Sequence, residues 1–226
     1  MAEQEGARAP QEHGFDAPYW QQHWQRAQGR PGEHRAVPNP HLVREVEGLA
    51  PGDALDAGCG EGGDALWLAG RGWRVVGADV SAEALARAAG RPGAGSVAWV
   101  RADLTTWDPG RRFDLVTTHY AHPAMPQLAF YGRLAGWVAP GGTLLVVGHL
   151  RGAGHGAGHG AGHGAGHGAG HGHPEGATVG VADVVARLDP AAWDVVTAEE
   201  HERDVTAPDG RQRRLHDAVV RAVRRS

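Results

Sequence analysis

Lysine and isoleucine are absent from this chain, and cysteine occurs once, at Cys59. One cysteine excludes an intrachain disulfide and a zinc ribbon. No apolar run is long enough to span a membrane, and the first ten residues lack the hydrophobic segment of a secretory signal. The net charge of the chain is −4. It therefore lacks the excess of basic residues that is typical of nucleic-acid-binding proteins. We predict a cytoplasmic protein with no membrane or DNA partner.

The glycines are most informative in residues 55–63, which read Leu-Asp-Ala-Gly-Cys-Gly-Glu-Gly-Gly. An apolar run leads into this loop, and a helical pattern follows it at once. Glycine tolerates positive φ and close approach of a ligand, and the first N–H groups of a helix are unpaired and carry partial positive charge. The segment therefore predicts a nucleotide-type cofactor site at the end of a first strand. The spacing Gly58-x-Gly60-x-Gly62 fits S-adenosylmethionine enzymes, whereas Gly58-x-Gly60-x-x-Gly63 also fits the dinucleotide fingerprint.

Strands and helices alternate from this loop onward, and 226 residues suffice for one sizeable domain. This alternation predicts an α/β fold, a Rossmann-like three-layer sandwich with a mostly parallel sheet and helices on both faces. The predicted strands are 54–57, 74–78, 97–101, 113–118 and 143–148, and the predicted helices are 41–49, 63–69, 82–89 and 126–138.

The C-terminal third departs from the alternation. Residues 152–171 are a tandem Gly-Ala-Gly-His repeat, which has nothing large to bury and is too glycine-rich for a helix, so we predict a disordered low-complexity loop at 152–173. A helix at 178–188 and strands at 193–198 and 215–223 follow, with a turn at 208–210. We predict one domain at 37–226, which brings the sheet to seven strands. An N-terminal extension at 1–36 precedes it. Trp20 and Trp24 there lie one helical turn apart, and they either form part of a lid over the site or pack as ordinary residues of a terminal helix.

Two aspartates follow predicted strands where a cofactor would lie. Asp79 ends the second strand, about twenty residues after the glycine loop, where a carboxylate can accept both ribose hydroxyls. Its alternative role is to cap the next helix, although Ser81 is better placed for that. Asp103 follows the third strand and can accept a hydrogen bond from an adenine amino group while Leu104 packs on the ring. The alternative for Asp103 is an ordinary turn aspartate.

Together these segments resemble the class I S-adenosylmethionine-dependent methyltransferases. The resemblance covers about residues 49–149, and more weakly the tail, which is similar to the tellurite-resistance and thiopurine methyltransferase branch. The segments that match family motifs are 55–63, 77–81, 101–104, 113–116 and 134–147.

The resemblance implies the strand order 3-2-1-4-5-7-6 with strand seven antiparallel, and S-adenosylmethionine bound across strands one and two. It places the methionine part, the ribose and the adenine along the ends of successive strands, and it assigns no chemistry to Cys59 or Glu61. The implied cofactor residues are Asp56, Gly58, Gly60, Gly62, Asp79, Val80, Asp103, Leu104, Thr118 and His119.

The candidates for contact with the acceptor, or for taking its proton, are His119, Tyr120 and His122. Residues 118–123 depart from the Asn/Asp-Pro-Pro-Tyr motif of amino-directed DNA methyltransferases, so we expect a small-molecule acceptor. Methyl transfer from a sulfonium is an in-line displacement that needs mainly positioning and exclusion of water.

Two alternatives remain open at this point. A NAD-dependent oxidoreductase would share the glycine loop and Asp79, but it has no need for Asp103, and a Tyr-x-x-x-Lys pair is impossible without lysine. A non-enzymatic metal-handling protein would use the histidine repeat, since neutral imidazoles bind zinc, nickel or copper. Perfect repetition favours repeat expansion in a tolerant loop, and we assign no metal ligands.

Overall fold

The computed structural model describes residues 14–26, 37–150, 178–206 and 212–226. Within these ranges strands and helices alternate as predicted. The helices are α1 Ala17–Arg26, α2 Pro40–Val46, α3 Gly63–Ala69, α4 Ala82–Ala89, α5 Gln127–Ala135 and α6 Val181–Val185. The strands are β1 Asp53–Ala57, β2 Arg74–Asp79, β3 Val97–Arg101, β4 Phe113–His119, β5 Val138–Leu150, β6 Thr178–Val179, β7 Trp193–Thr206 and β8 Gln212–Arg224.

The strands form one sheet in the order β3-β2-β1-β4-β5-β8-β7, with β6 paired to β5 beside this path. Strands β1 to β5 are parallel, and β8 runs antiparallel to both β5 and β7. The predicted strands six and seven are β7 and β8, so the expected order is present, with the two-residue β6 as an addition. The α/β class is confirmed.

Apolar side chains alternate between the two faces of the central strands. Leu55 and Val116 pack into the layer that holds α5 and α6, whereas Ala54 and Leu115 pack into the layer that holds α2 and α3. Parallel strands buried on both faces need apolar residues at successive positions, and this explains the continuous apolar runs of the sequence. Buried polar side chains interrupt this apolar pattern near the carboxyl ends of β1, β2 and β4.

Local signals set several boundaries correctly. The bounds of α3, α4 and β3 are those predicted from the sequence. Helix α4 begins after Ser81, whose hydroxyl accepts a hydrogen bond from the Ala84 N–H at 3.2 Å, as an N-cap should. Helix α3 begins after Gly62, which has a φ of 78°.

Other predicted boundaries were wrong. The turn expected at 140–142 is an irregularity inside β5, where the pairing with β4 shifts register. The helix expected at 126–138 ends at Ala135, because Trp137 and Val138 turn back to pair with the start of β4. The helix expected at 178–188 is replaced by β6 and the short α6, separated by Gly180. The predicted repeat loop and the turn at 208–210 lie outside the described residues.

Gly77 on β2 is required by a neighbouring ring, because a Cβ there would lie 2.7 Å from Trp99 Cζ3. We expect Gly77→Ala to lower the free energy of unfolding by about 1–3 kcal/mol, since overpacking forces the ring or the backbone to shift. Urea denaturation measures this. Gly95→Ala is the matched control, because a Cβ at Gly95 has no neighbour within 4 Å. Equal stability of the two variants would contradict the packing of Trp99 on Gly77.

Candidate functional site

The sheet changes direction of winding between β1 and β4. From β1 the chain proceeds outward through β2 and β3 and then returns to the other side of β1 as β4. The connections that leave β1 and β4 therefore diverge, and a crevice opens at the carboxyl ends of these two strands. Ligands of open α/β sheets bind in such crevices. The glycine loop follows β1 and residues 120–123 follow β4, so both predicted groups of site residues lie here.

The glycine loop has the backbone that only glycine adopts easily. Gly58, Gly60 and Gly62 have φ values of 84°, 51° and 78°. The loop is tied to the neighbouring strand, because the Gly58 N–H donates to the Ala78 carbonyl at 2.8 Å. Glu61, to which the sequence assigns no chemistry, forms ion pairs with Arg87 and Arg91 that hold the loop against α4.

Asp79 connects this loop to the end of β2. It is 8% exposed, and its two oxygens accept hydrogen bonds from the Gly60 N–H at 2.9 Å and the Ser81 N–H at 2.8 Å. Burial raises the pKa of Asp79, although the hydrogen bonds from Ser81 and Gly60 act against this. Since a carboxylate has about four acceptor positions, both oxygens can still accept from a ligand. Ser81, not Asp79, caps α4.

Residues after β2 and β3 lie farther along the same edge. Val80 is half-buried, and its carbonyl accepts from Arg101 at 3.4 Å. Asp103 is exposed and accepts from the Thr105 N–H at 2.9 Å, which is the hydrogen bond of a turn aspartate. Leu104 is 6% exposed and packs into the core. The adenine contacts of Asp103 and Leu104 stay predictions.

Asp56, Asp64 and His119 form a compact polar group between β1, α3 and β4. One ligand atom from each lies within 4.8 Å of the others. The His119 Nδ1 lies 2.7 Å from Asp64, and its Nε2 lies 2.9 Å from the Thr117 hydroxyl. Asp56 is 2% exposed, and one of its oxygens has no hydrogen-bond partner among the described residues.

The pKa values of this group are shifted by burial and by mutual charge. Burial raises the pKa of Asp56 to about 8, with a further upward contribution from Asp64 and a downward one from His119. For His119, burial lowers the pKa, but the Asp64 and Asp56 carboxylates raise it more, so the net direction is upward. Thr118 faces the opposite side of β4 and donates to the Ala57 carbonyl at 2.8 Å.

Helix α1 lies across the glycine loop. Trp24 is 7% exposed, and a Cβ at Gly60 would lie 3.2 Å from its ring. The Gln21 side chain accepts from the Ser81 hydroxyl at 3.1 Å, and the Trp20 Nε1 donates to the His122 carbonyl at 2.9 Å. Trp24 therefore contacts the glycine loop after β1, and Trp20 contacts the segment after β4.

Aromatic rings line the side of the crevice beyond β4. Phe15 lies 5.5 Å from His122, His122 stacks on His149 at 5.6 Å, and His149 lies 4.7 Å from Tyr120, all between ring centroids. Tyr120 has a φ of 54°, the one positive value among the described non-glycine residues. Such a conformation in a bulky residue is strained and common at functional sites.

A buried ionic network lies next to these aromatic rings and contacts them through Tyr120. Asp217 on β8 is 0% exposed and lies 2.6 Å from Arg203 and 3.0 Å from His41. Arg203 also donates to the Tyr120 hydroxyl at 3.0 Å. Burial raises the pKa of Tyr120, and Asp217 raises it further, so this phenol is a poor base.

The sequence did not predict the parts played by Asp64, His41, Arg203 and Asp217. Asp64 has the pattern of an ordinary residue in a first helical turn, where acidic side chains are common. His41 and Asp217 lie 176 residues apart along the chain. Arg203 and Asp217 lie 14 residues apart, on two paired strands. The sequence contains no motif that indicates either pair.

Comparison with known proteins agrees with this geometry. Residues 54–142 match the family profile described as a methyltransferase domain. The chain is 35% identical over 127 residues to the trans-aconitate 2-methyltransferase of Streptomyces avermitilis, covering 51% of this chain and 46% of that protein. It is 39% identical over 74 residues to the thiopurine S-methyltransferase of Pseudomonas putida, covering 31% of this chain and 34% of that protein. The chain thus spans about half, or less, of the length of these curated relatives.

A solved structure extends the likeness to nearly the whole chain. The N-methyltransferase NodS of Bradyrhizobium japonicum, in complex with S-adenosylhomocysteine, superposes with a TM-score of 0.60 at 18% identity, covering 91% of this chain and 98% of that one. At this identity the likeness shows the fold. Among the described residues, no helix is both long and apolar enough to cross a membrane.

The motif region, the strand order and these relatives agree, and they decide against the dinucleotide interpretation of the glycine loop. Residues 54–142 of this chain match the methyltransferase domain family, and the chain is similar to curated methyltransferases in sequence and to an S-adenosylhomocysteine-bound methyltransferase in fold.

Proposed function

We propose that this chain is a methyltransferase that transfers a methyl group from S-adenosylmethionine to a small-molecule acceptor by in-line displacement. The observation that carries the proposal is the hydrogen bond between Asp79 and the Gly60 N–H at the mouth of the crevice. This bond joins a buried carboxylate to a glycine loop, the two features that a ribose and an amino-acid tail require. Bound there, S-adenosylmethionine would supply a methyl group on a positively charged sulfur.

The described residues fit this cofactor. Asp79 is buried yet keeps acceptor capacity for two ribose hydroxyls. Gly58, Gly60 and Gly62 present backbone without side chains beside β1. Asp56 has a buried oxygen without a partner, which suits a positively charged group in the crevice. Thr118 and His119 end the neighbouring strand and would line the opposite side.

Helix α1 would exclude water from the reacting groups. Its hydrogen bonds to Ser81 and to the His122 carbonyl bridge the crevice from the β2 side to the β4 side. Exclusion of water strengthens the electrostatic interactions within a site and prevents side reactions. The cover would have to open for exchange of cofactor and product.

Of the three candidates at the end of β4 and just after it, His122 is the one that we propose to contact the acceptor. Its Nδ1 lies 3.2 Å from the Gln127 carboxamide oxygen, and the Gln127 amide is oriented by donating to the Ala121 carbonyl at 2.9 Å. This arrangement places the proton of a neutral His122 on Nδ1 and fixes the orientation of its ring. His119 has hydrogen bonds at both ring nitrogens, and Tyr120 has a raised pKa.

The acceptor is a small molecule with a flat ring. The rings of Phe15, Tyr120, His122 and His149 follow one another along the wall, and planar aromatic surfaces favour offset stacking with planar ligands.

Transfer of radiolabelled methyl from S-adenosylmethionine tests this proposal. The full chain is incubated with small heteroaromatic acceptors that carry hydroxyl, thiol, carboxyl or ring-nitrogen groups, and in parallel with DNA and with protein extract. We expect label in a small heteroaromatic product together with S-adenosylhomocysteine. Label only in DNA or protein would contradict the acceptor class. Absence of label in every fraction, with no binding of S-adenosylhomocysteine, would contradict the methyltransferase activity.

A further inference from the structure

A cleft lies at the edge of the sheet opposite the crevice, near the amino ends of β1 and β2. Its walls are the last turn of α2, the turn that leads into β1, the end of α3 and the turn that leads into β2. Its volume is about 180 Å³, which is below the roughly 300–1,000 Å³ of pockets for drug-sized ligands. The cleft therefore fits a small ligand, and the proposed methyl transfer does not use it. Its apolar lining consists of Val43, Val46, Leu49, Pro51, Trp67 and Trp73.

Backbone hydrogen bonds hold the walls of this cleft in place. The Leu49 N–H donates to the Val46 carbonyl at 3.1 Å, which closes the turn after α2. The Arg74 N–H donates to the Gly52 carbonyl at 2.9 Å and joins the two turns that precede β1 and β2. Trp73 is 5% exposed and packs in the core below the cleft. Because the walls are already formed, a ligand does not have to order them on binding.

One wall of the cleft holds a cation against an aromatic ring. The guanidinium carbon of Arg71 lies 3.8 Å from the centroid of the Trp67 ring, which is a cation–π contact. Trp67 is half-buried, and Arg71 is exposed. The face of an indole ring carries partial negative charge, so it attracts cations and repels anions. The aromatic lining of the cleft therefore favours positive charge.

Glu47 adds a carboxylate to the same cleft, at a position where negative charge is unfavourable for the local structure. It is the C-cap residue of α2. The last carbonyl groups of a helix carry partial negative charge, so a cation is favoured there and an acidic side chain is not. Glu47 is exposed, and among the described residues its carboxylate has no ion pair or hydrogen bond. Departures from local preference of this kind are expected at functional positions.

We propose that this cleft binds a small organic cation, with the charged group beside Glu47 and the apolar body against the valines and tryptophans. The carboxylate, the indole faces and the end of α2 all attract positive charge. Arg71 is the one feature that opposes it, and its guanidinium is already placed on Trp67. In a site for anions Arg71 would be the main contact and Glu47 would oppose binding, so substitution of these two residues has opposite effects in the two cases.

Phenethylammonium is the probe, because it carries an ammonium group on a short apolar body, and hydrocinnamate is the matched anion. The chain has eight tryptophans, and labelling with ¹⁵N-tryptophan makes each indole N–H a separate reporter in nuclear magnetic resonance spectra. The variants Trp67→Phe and Trp73→Phe identify the signals of the cleft, and Trp20→Phe and Trp24→Phe identify those of the crevice. The full chain is used without S-adenosylmethionine, so the result does not depend on the proposed function.

We expect phenethylammonium to shift the Trp67 and Trp73 signals at concentrations that leave the Trp20 and Trp24 signals unchanged. Hydrocinnamate should leave the Trp67 and Trp73 signals unchanged. Shifts confined to Trp20 and Trp24, or no shift at millimolar phenethylammonium, would overturn the proposal. Shifts of Trp67 and Trp73 by hydrocinnamate alone would assign the cleft to anions and would overturn it as well.

Two exposed side chains supply the test of charge. Glu47→Gln should weaken phenethylammonium binding by about two- to fivefold at low salt, the range of a solvent-exposed charge pair. Arg71→Gln should strengthen it by about twofold, because it removes a like charge from the cleft. Glu200→Gln is the control, since this carboxylate is exposed on β7, outside the cleft, and it should bind as the wild type does.

Circular dichroism of each variant separates loss of the site from loss of the fold. Both Glu47 and Arg71 are exposed, and if one of the two variants does not fold, the other carries the test. Wild-type affinity in a folded Glu47→Gln chain would overturn the proposal, as would weaker binding of phenethylammonium by a folded Arg71→Gln chain.

Discussion

Asp217→Asn is expected to lower the free energy of unfolding by about 3–5 kcal/mol, the typical cost of removing one partner from a buried ion pair. Asp217 is 0% exposed and lies 2.6 Å from Arg203 and 3.0 Å from His41. Asparagine keeps the shape but removes the charge, so Arg203 would stay in a partly buried position without its counterion. The change would be measured as a shift of the urea unfolding curve.

The same substitution should change the acid side of the stability profile. Burial raises the pKa of Asp217, but the hydrogen bonds with His41, Arg203 and Tyr120 lower it from 3.8 to about 2. A carboxylate with a depressed pKa stabilises the fold above its unfolded pKa, and this contribution is lost as the pH falls through the folded pKa. The difference between wild type and variant should therefore shrink between pH 3.8 and about pH 2.

Asp204→Asn is the control for this prediction. Asp204 lies on β7 one residue from Arg203, is exposed, and forms an ion pair with Arg214 at the surface. We expect no measurable shift of its unfolding curve, because exposed ion pairs are screened by solvent. If both variants unfold at the same urea concentration as the wild type, the network around Asp217 does not stabilise the fold.

The second large effect is expected on cofactor affinity. Asp79→Ala should weaken binding of S-adenosylhomocysteine by well over tenfold, because the variant would lose the charge-assisted hydrogen bonds that we propose between this carboxylate and both ribose hydroxyls. It also removes the acceptor for the Gly60 N–H, which lies 2.9 Å from the carboxylate, so the glycine loop loses a constraint. Asp79→Asn retains an acceptor for the loop and should have an intermediate affinity. Isothermal titration measures both variants.

Asp108→Asn provides the matched comparison. Asp108, like Asp79, accepts a backbone hydrogen bond, in this case from the Gly110 N–H at 2.9 Å, but it is exposed and lies in the segment between β3 and β4. Its affinity for S-adenosylhomocysteine should equal that of the wild type. Unchanged affinity in Asp79→Ala would remove the assignment of the ribose to this carboxylate.

Local and periodic signals in the sequence predicted the fold class, and the resemblance to the methyltransferases implied the strand order. Glycines at 58, 60 and 62 do adopt positive φ, and Ser81 does cap α4. Those features require particular residue types at particular positions, so the residue type reveals the conformation. The alternation of apolar runs with helical patterns likewise follows from burial of a parallel sheet on both faces.

The polar networks could not be predicted in the same way. The pairs of His41 with Asp217 and of His119 with Asp64 join segments 176 and 55 residues apart. Only the folded chain brings them together. The end of the helix near residue 135 and the start of β6 were also missed, because the short apolar stretches around residues 137–138 and at Val179 and Val181 satisfy helical and extended patterns equally well.

The central claim is that the crevice between β1 and β4 binds S-adenosylmethionine. Isothermal titration of the metal-stripped full chain with S-adenosylhomocysteine, and separately with NADH, tests it most directly. We predict micromolar binding of S-adenosylhomocysteine and no heat from NADH. Binding of NADH alone, or of neither ligand, would contradict the account.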